Sequence, residues 1–457
     1  MTGRDVKTGT TGAVRSFPHG RANLVESDHT LPQSVDVVVI GAGIAGIATA
    51  QALADAGLKV LVCEKGRVAA EQSSRAFGWI CNLGLDPLKI ELTARSKTLW
   101  AGLAQKIGVD VGYRRAGLMH LCETEADIAR EQAWLDSVKA YEGISARLVS
   151  GDELASLLPG AARRWPAALY QPDDGYADPL LAVPAMAAAF RRAGGYLVEQ
   201  CAVRALQATG GRVSGVVTER GAVTCQEVVL AGGAWSRRFC ENEGLFLPLL
   251  QIYSSLLETT PLQGGPECCI AAHGFACRRT PTGSYILGPD HGHQAVVTPD
   301  SFRLFWQFLP ALRRDHGMLK LHFGAEFFRQ LRQKRNWSGD ETTPFEAERV
   351  LDPAPDVALM QETLQAMVKA FPVAAGAEVS AIWAGVIDAT PDSTPVIGPV
   401  VARPGFHICT GFSAYGLSMG LAAGEMAAQL LLNQTPLVNP FAYRFQRFSD
   451  GSKLCLA

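Results

Sequence analysis

The run from Asp36 to about Ala56 constrains this chain more than any other. Val37-Val38-Val39-Ile40 is a continuous β-branched stretch, as expected of a strand buried on both faces. It leads directly into Gly41-Ala42-Gly43-Ile44-Ala45-Gly46 and an alanine-rich helical stretch. Gly57 closes that stretch before a second strand, Val60-Leu61-Val62-Cys63. Strand, glycine turn, helix and strand in this order make a βαβ unit. The three glycines have separate tasks. Gly41 permits the tight turn, Gly43 lets a pyrophosphate approach the backbone, and Gly46 lets helix and strand pack closely. Ile44 and Ala45 open the helix, whose N-terminal N–H groups and partial positive charge suit phosphates. Glu64 ends the second strand, placed to accept hydrogen bonds from an adenosine ribose. The unit reads as a dinucleotide site.

Other glycine-rich elements decide which dinucleotide. Glu64-Lys65-Gly66 is followed by a polar stretch containing Ser73, Ser74 and Arg75. Val229 to Ser236 places Gly232, Gly233 and Trp235 in a second turn after a strand. Gly411 to Gly420, with Tyr415, Gly416 and Leu417, opens a long helix. Its N-terminus suits the pyrimidine end of a flavin, where negative charge collects on reduction. Separated elements converging on one ligand point to a cofactor as large as FAD.

Size and composition bound the rest. The 457 residues suffice for a two-part fold, and 48% apolar with 19% charged suits a sizeable core. A net charge of −2 supplies no field for nucleic acid. The eleven cysteines are scattered without a C-x-x-C pair, so they read as buried reduced thiols, and no metal site is expected. No apolar run is long enough for a membrane span. The expected architecture is α/β, a Rossmann-type FAD-binding domain with a discontinuous α+β substrate domain built on an antiparallel sheet. Residues 1–34 are a polar leader, either a tail or a strap over the surface. Residues 35–90, 150–245 and 380–440 form the FAD-binding domain. Residues 91–149 and 246–379 form the substrate domain, with an amphipathic insertion at 300–335.

From Val35 to Phe441 the chain resembles the D-amino-acid oxidase superfamily of flavoproteins, which includes glycine and sarcosine oxidases. The carrying residues are Trp383-Ala384-Gly385 and Thr390-Pro391-Asp392-Ser393-Thr394-Pro395-Val396-Ile397-Gly398. Within the superfamily it is most similar to the membrane-associated bacterial L-amino-acid deaminases, through Val228 to Arg237, Cys201 to Arg204 and Thr342 to Glu346. The resemblance implies FAD, amine chemistry and a cofactor contact at Val203. In place of those deaminases' N-terminal anchor the chain has its polar leader. Where they hold the substrate carboxylate with an arginine after a substrate-domain strand, the residue after Ser284–Pro289 is Asp290.

Hydride transfer from an amine's carbon to flavin N5 needs positioning more than a catalytic base. Arg278 is the candidate partner for a substrate carboxylate, since a guanidinium grips it in two places. Trp79, beside Phe77, is a candidate pocket wall, and Tyr415 a candidate substrate contact. Asp290, near His291 and His293, would favour a cation. The expected reaction is oxidation of an amino acid's C–N bond to an imine, then to a 2-oxo acid and ammonia, with oxygen or a membrane quinone as acceptor. The alternatives are oxidation of a cationic or secondary amine such as a polyamine or opine, and a flavin-binding subunit without turnover. Residues 300–335 mix Phe302, Phe305, Trp306 and Phe308 with Arg303, Arg313 and Arg314. Such a segment suits an anionic membrane surface or a basic face of the protein's own fold. The expected location is cytoplasmic, with a peripheral contact on the inner face of the cell membrane if the first of these holds.

Overall fold

The computed structural model describes residues 24–454. Two large sheets organise them. The first has six strands in the order Val396–Pro399, Phe406–Thr410, Glu227–Leu230, Val37–Ile40, Val60–Cys63 and Tyr196–Val198. All neighbours are parallel except the first pair. Strands distant in sequence therefore lie side by side: Val38 is in register with Val228, and Val228 with Phe406. The helices Ile44–Asp55 and Gly416–Leu431 cover one face, and their apolar residues share one core with Val37, Val39 and Val229.

The second sheet has ten strands of mixed direction, drawn from residues 118–171, 250–322 and 379–389. Its spine is Leu250–Thr259, which pairs antiparallel with Val379–Ala389 along its whole length. Side-chain alternation divides the faces. Leu257, Leu287 and Cys277 pack on Met360 and Met367 of the helix Val357–Ala370, whereas Leu256 and Ile286 face the opposite way, against Phe77 and Trp383.

Several sequence expectations change. Ala167–Gln171 and Val379–Ala389 stand in the second sheet, although the bounds 150–245 and 380–440 put them with the nucleotide fold. Strand membership follows pairing partners, which sequence proximity does not reveal. Most of the leader 1–34 lies outside the described residues. The described part straps the edge strand: Asp28 accepts from Leu197 N at 2.8 Å, its own N–H donates to Leu197 O at 2.7 Å, and Arg191 pairs with its carboxylate.

The amphipathic insertion 300–335 is broken into several elements. It holds the helix Phe305–Arg314, an edge strand Leu319–His322 and the helix Ala325–Arg332, because Gly317 and Gly324 interrupt the periodicity. Most of its aromatic side chains remain outside, with Phe302, Trp306 and Phe323 respectively 66%, 77% and 59% exposed, while Phe308 and Phe327 are half-buried. Its cations are largely neutralised by acids: Arg303 and Arg335 by Glu241, Arg314 by Asp315, Arg329 by Glu326 and Glu348, Lys334 by Glu341. Among the described residues no helix is long and apolar enough to cross a membrane.

Candidate functional site

The turn after the first strand is built as its glycines require. Gly41 has φ +105°, and a Cβ there would lie 2.5 Å from the Ala231 carbonyl oxygen. A Cβ on Gly46 would lie 1.9 Å from the Gly41 carbonyl oxygen, so only hydrogen fits. Glu64 accepts from Ala42 N at 2.8 Å and Gly66 N at 2.7 Å. Burial pushes its carboxyl above the usual range, against the pull of Lys65. Ser73 accepts from Ile44 N at 2.9 Å, so the polar stretch after the second strand reaches back to the helix N-terminus. The Lys65 ammonium sits 4.5 Å above the Trp235 ring and pairs with Glu71 at 2.6 Å.

These groups line a cavity of about 260 Å³. Of the residues expected at the cofactor, Gly41, Gly43, Ile44, Ala45, Glu64, Lys65, Ser73, Arg75, Val203, Gly232, Gly233, Trp235, Gly416 and Leu417 face it. Gly46, Ser74, Gly411 and Tyr415 stand outside the lining. Gly46 serves packing, and Ser74 turns back to the Glu71 carbonyl. Gly411 donates to Asp388 at 2.8 Å. Tyr415 lies half-buried near Arg314 and Asp315, its hydroxyl pushed up to about 12 by burial.

The expected substrate residues lie off the cavity too. Arg278 is on the inward face of the second sheet but sealed, 4% exposed, behind Phe77. Its Nε donates to the Phe77 carbonyl at 2.5 Å, and its guanidinium lies 4.9 Å above the Tyr176 ring. Burial lowers its pKa. Trp79 packs edge-on to Phe77 at 4.7 Å and pairs with Tyr176, leaving its indole N–H buried without a partner. Asp290 accepts from Gly274 N at 2.8 Å and closes a hairpin loop with His291 and His273 beside it.

Two groups of importance carry no local signal in the sequence, and a third sits within the motif that carries the family resemblance. Buried Asp388 lines the cavity, accepts from Gln72 Nε2 at 2.8 Å and Gly411 N at 2.8 Å, and so ties three chain segments together. Burial raises its carboxyl pKa. Ser254 lines the cavity from the second sheet, and His293 Nδ1 stands 3.0 Å from its hydroxyl. Burial pushes the His293 imidazole down. Asp392, inside the signature, is buried in a two-pronged pair with Arg447, at 2.8 and 3.2 Å.

Glycine turns whose backbone faces a long cavity, a helix N-terminus and a buried acid at the second strand fit FAD. The walls opposite the first sheet come from the second sheet through Ser254, Leu256 and Gly385 to Asp388. Known proteins resemble this chain over most of its length. Glycine oxidase of Pseudomonas aeruginosa is 27% identical over 419 residues, 89% of this chain and 97% of that protein. Mitochondrial dimethylglycine dehydrogenase of Mus musculus is 24% identical over 88% of this chain, which spans only 43% of that protein. The structure of L-amino acid deaminase from Proteus myxofaciens in complex with anthranilate superposes with a TM-score of 0.91 at 34% identity, covering 94% of this chain and 97% of that one. The deaminase from Proteus vulgaris gives 0.89 at 31%, over 93% and 100%. Residues 36–430, both large sheets and every wall of the cavity among them, match the FAD dependent oxidoreductase family (DAO), and the chain belongs to that family.

Proposed function

We propose that this protein oxidises the C–N bond of an amino acid to an imine, which water converts to a 2-oxo acid and ammonia. Bound FAD supplies the hydride acceptor for such a reaction. The chain contributes position and a dry wall. The observation that carries the reading is the face that the second sheet turns to the cavity. It is apolar at Leu256, Val386 and Ile387, with Phe77 packed on Leu256. Its polar groups are the Asp388 carboxylate, held by Gln72 and Gly411, and one hydroxyl, Ser254, backed by His293. An imidazole kept neutral by burial can accept the hydroxyl proton, leaving the Ser254 oxygen to meet an amine nitrogen. Glycine, dimethylglycine and L-amino acids, named in the relatives, all carry an amine on the carbon beside a carboxylate.

In this reading Arg278 supports the wall by fixing the Phe77 carbonyl, and reaches a substrate carboxylate only when Phe77 moves. Asp290 is committed to Gly274 and lies off the cavity, so the motive for a polyamine or opine substrate is lost. Oxygen or a membrane quinone takes the electrons. The exposed apolar patch of segment 300–335 supports a peripheral contact with a membrane.

The test is anaerobic addition of amino acids of both hands, polyamines and secondary amines to the yellow holoprotein. Loss of visible flavin absorbance with amino acids is the expected result. Bleaching by polyamines alone would overturn the substrate class, and no bleaching by any amine would point to a subunit without turnover.

A further inference from the structure

A second, smaller cavity lies across Trp235 from the cofactor site, where segment 300–335 joins the body. It encloses about 30 Å³, enough for one or two water-sized bodies. The body supplies Arg237, Arg238 and Gln251, and the insertion supplies Asp300, Arg329 and Gln333.

Its charges do not balance. Arg237 donates to Asp300 at 2.8 Å and to the Leu247 carbonyl at 3.1 Å. Arg335 bridges Asp300 at 3.0 Å and Glu241 at 2.7 Å. Arg329 is satisfied by Glu326 and Glu348. Arg238 is left over. It is 6% exposed, its only acid contact is a long one of 3.4 Å to Glu241, and its Nη2 is buried with no hydrogen-bond partner. Arg237, Arg238, Arg303 and Arg335 thus share Asp300 and Glu241, so positive charge is in excess around these two acids. Burial lowers the Arg238 pKa, yet a guanidinium stays protonated in proteins. A buried cation without a partner is costly, so the site gains from a counter-ion.

We propose that this cavity binds a halide-sized monoanion at the Arg238 guanidinium, clasping the insertion to the body. The volume excludes an ion as large as gluconate and admits a single small anion. The amide side chains of Gln251 and Gln333 supply further N–H donors around it.

The test uses holoprotein in sodium gluconate, titrated with sodium bromide at constant ionic strength, with the thermal midpoint as readout. A saturable rise of about 2–3 °C is expected at a hundredfold excess over Kd. Arg238→Gln should abolish it. Gln333→Glu, which places a carboxylate in the cavity, should make the midpoint independent of bromide and guards against an Arg238 variant that fails to fold. Crystals soaked in bromide should show an anomalous peak beside Arg238. Superposable bromide and gluconate titrations, a saturable shift surviving in both variants, or bromide peaks only elsewhere would each overturn the proposal.

Discussion

The pair Asp392–Arg447 places a large and measurable energy outside the cofactor cavity. Both side chains are 4% exposed. Arg447 donates twice to Asp392, once to the Thr394 carbonyl at 2.7 Å and once to the Arg444 carbonyl at 3.1 Å. Arg447→Met fills much of the same volume but removes all four donors. Asp392 then keeps only Thr394 N, at 3.2 Å, as a charge stranded in the interior. Breaking a buried pair from one side costs about 3–5 kcal/mol. For 457 residues the unfolding entropy is roughly 1 kcal/mol per degree, so the thermal midpoint should fall about 3–5 °C. Asp392→Asn should cost less, because an amide oxygen still accepts one bond. The double variant should be no worse than Arg447→Met alone, since the stranded charge is gone, which gives a coupling of about 2–3 kcal/mol. Midpoints of the four proteins, followed by flavin release, close the cycle. Additive losses, or an Arg447→Met shift below about 1 °C, would refute the assignment of this signature acid to scaffolding.

Gly46→Ala should weaken FAD binding about 100-fold, since its Cβ meets a carbonyl oxygen at 1.9 Å and the strand and helix must part at a cost of about 3 kcal/mol; titration of apoprotein with FAD checks it, and an unchanged Kd would exclude the packing argument. The neutral form of His293 is favoured in the folded state, so its contribution is complete above about pH 6.5 and declines as pH falls toward the lowered folded pKa. The wild-type midpoint should therefore drop more steeply than that of His293→Gln below pH 6.5, and parallel curves would remove His293 as the titrating group. The holoprotein should co-sediment with phospholipid vesicles in both low and high salt, because most cations of segment 300–335 are paired while Phe305 and Trp306 are exposed. Phe305→Ser with Trp306→Ser should abolish binding without altering the flavin spectrum, and release of wild type by salt alone would favour an electrostatic contact.

The βαβ unit was legible because its information is local. A β-branched run, three spaced glycines and an acid on the next strand are all set within about 30 residues. The sites that escaped depend on pairing across the fold. Nothing near Ser254 announces His293, which two neighbouring strands bring to it, and nothing near Gln72 announces Asp388. Arg278 looked like a carboxylate ligand by residue type, but Phe77 stands in front of it. Segment 300–335 is amphipathic and rich in cations, yet two glycines divide it into a helix, a strand and a second helix. Two of the acids that neutralise its cations, Glu241 beside Arg303 and Glu348 beside Arg329, stand outside the segment.

The interleaved order of the first sheet has a consequence for biosynthesis. Glu227–Leu230 separates Val37–Ile40 from Phe406–Thr410. At translation rates of about 5–20 residues per second, roughly 20–70 s pass between the emergence of the first of these strands and the last. Throughout that interval the sheet has an open, strongly apolar edge, and the floor of the cofactor cavity is unfinished. FAD therefore cannot guide the early stages of folding. It can only capture chains that are already nearly complete, so starving cells of flavin should enrich a full-length, colourless species rather than truncated fragments.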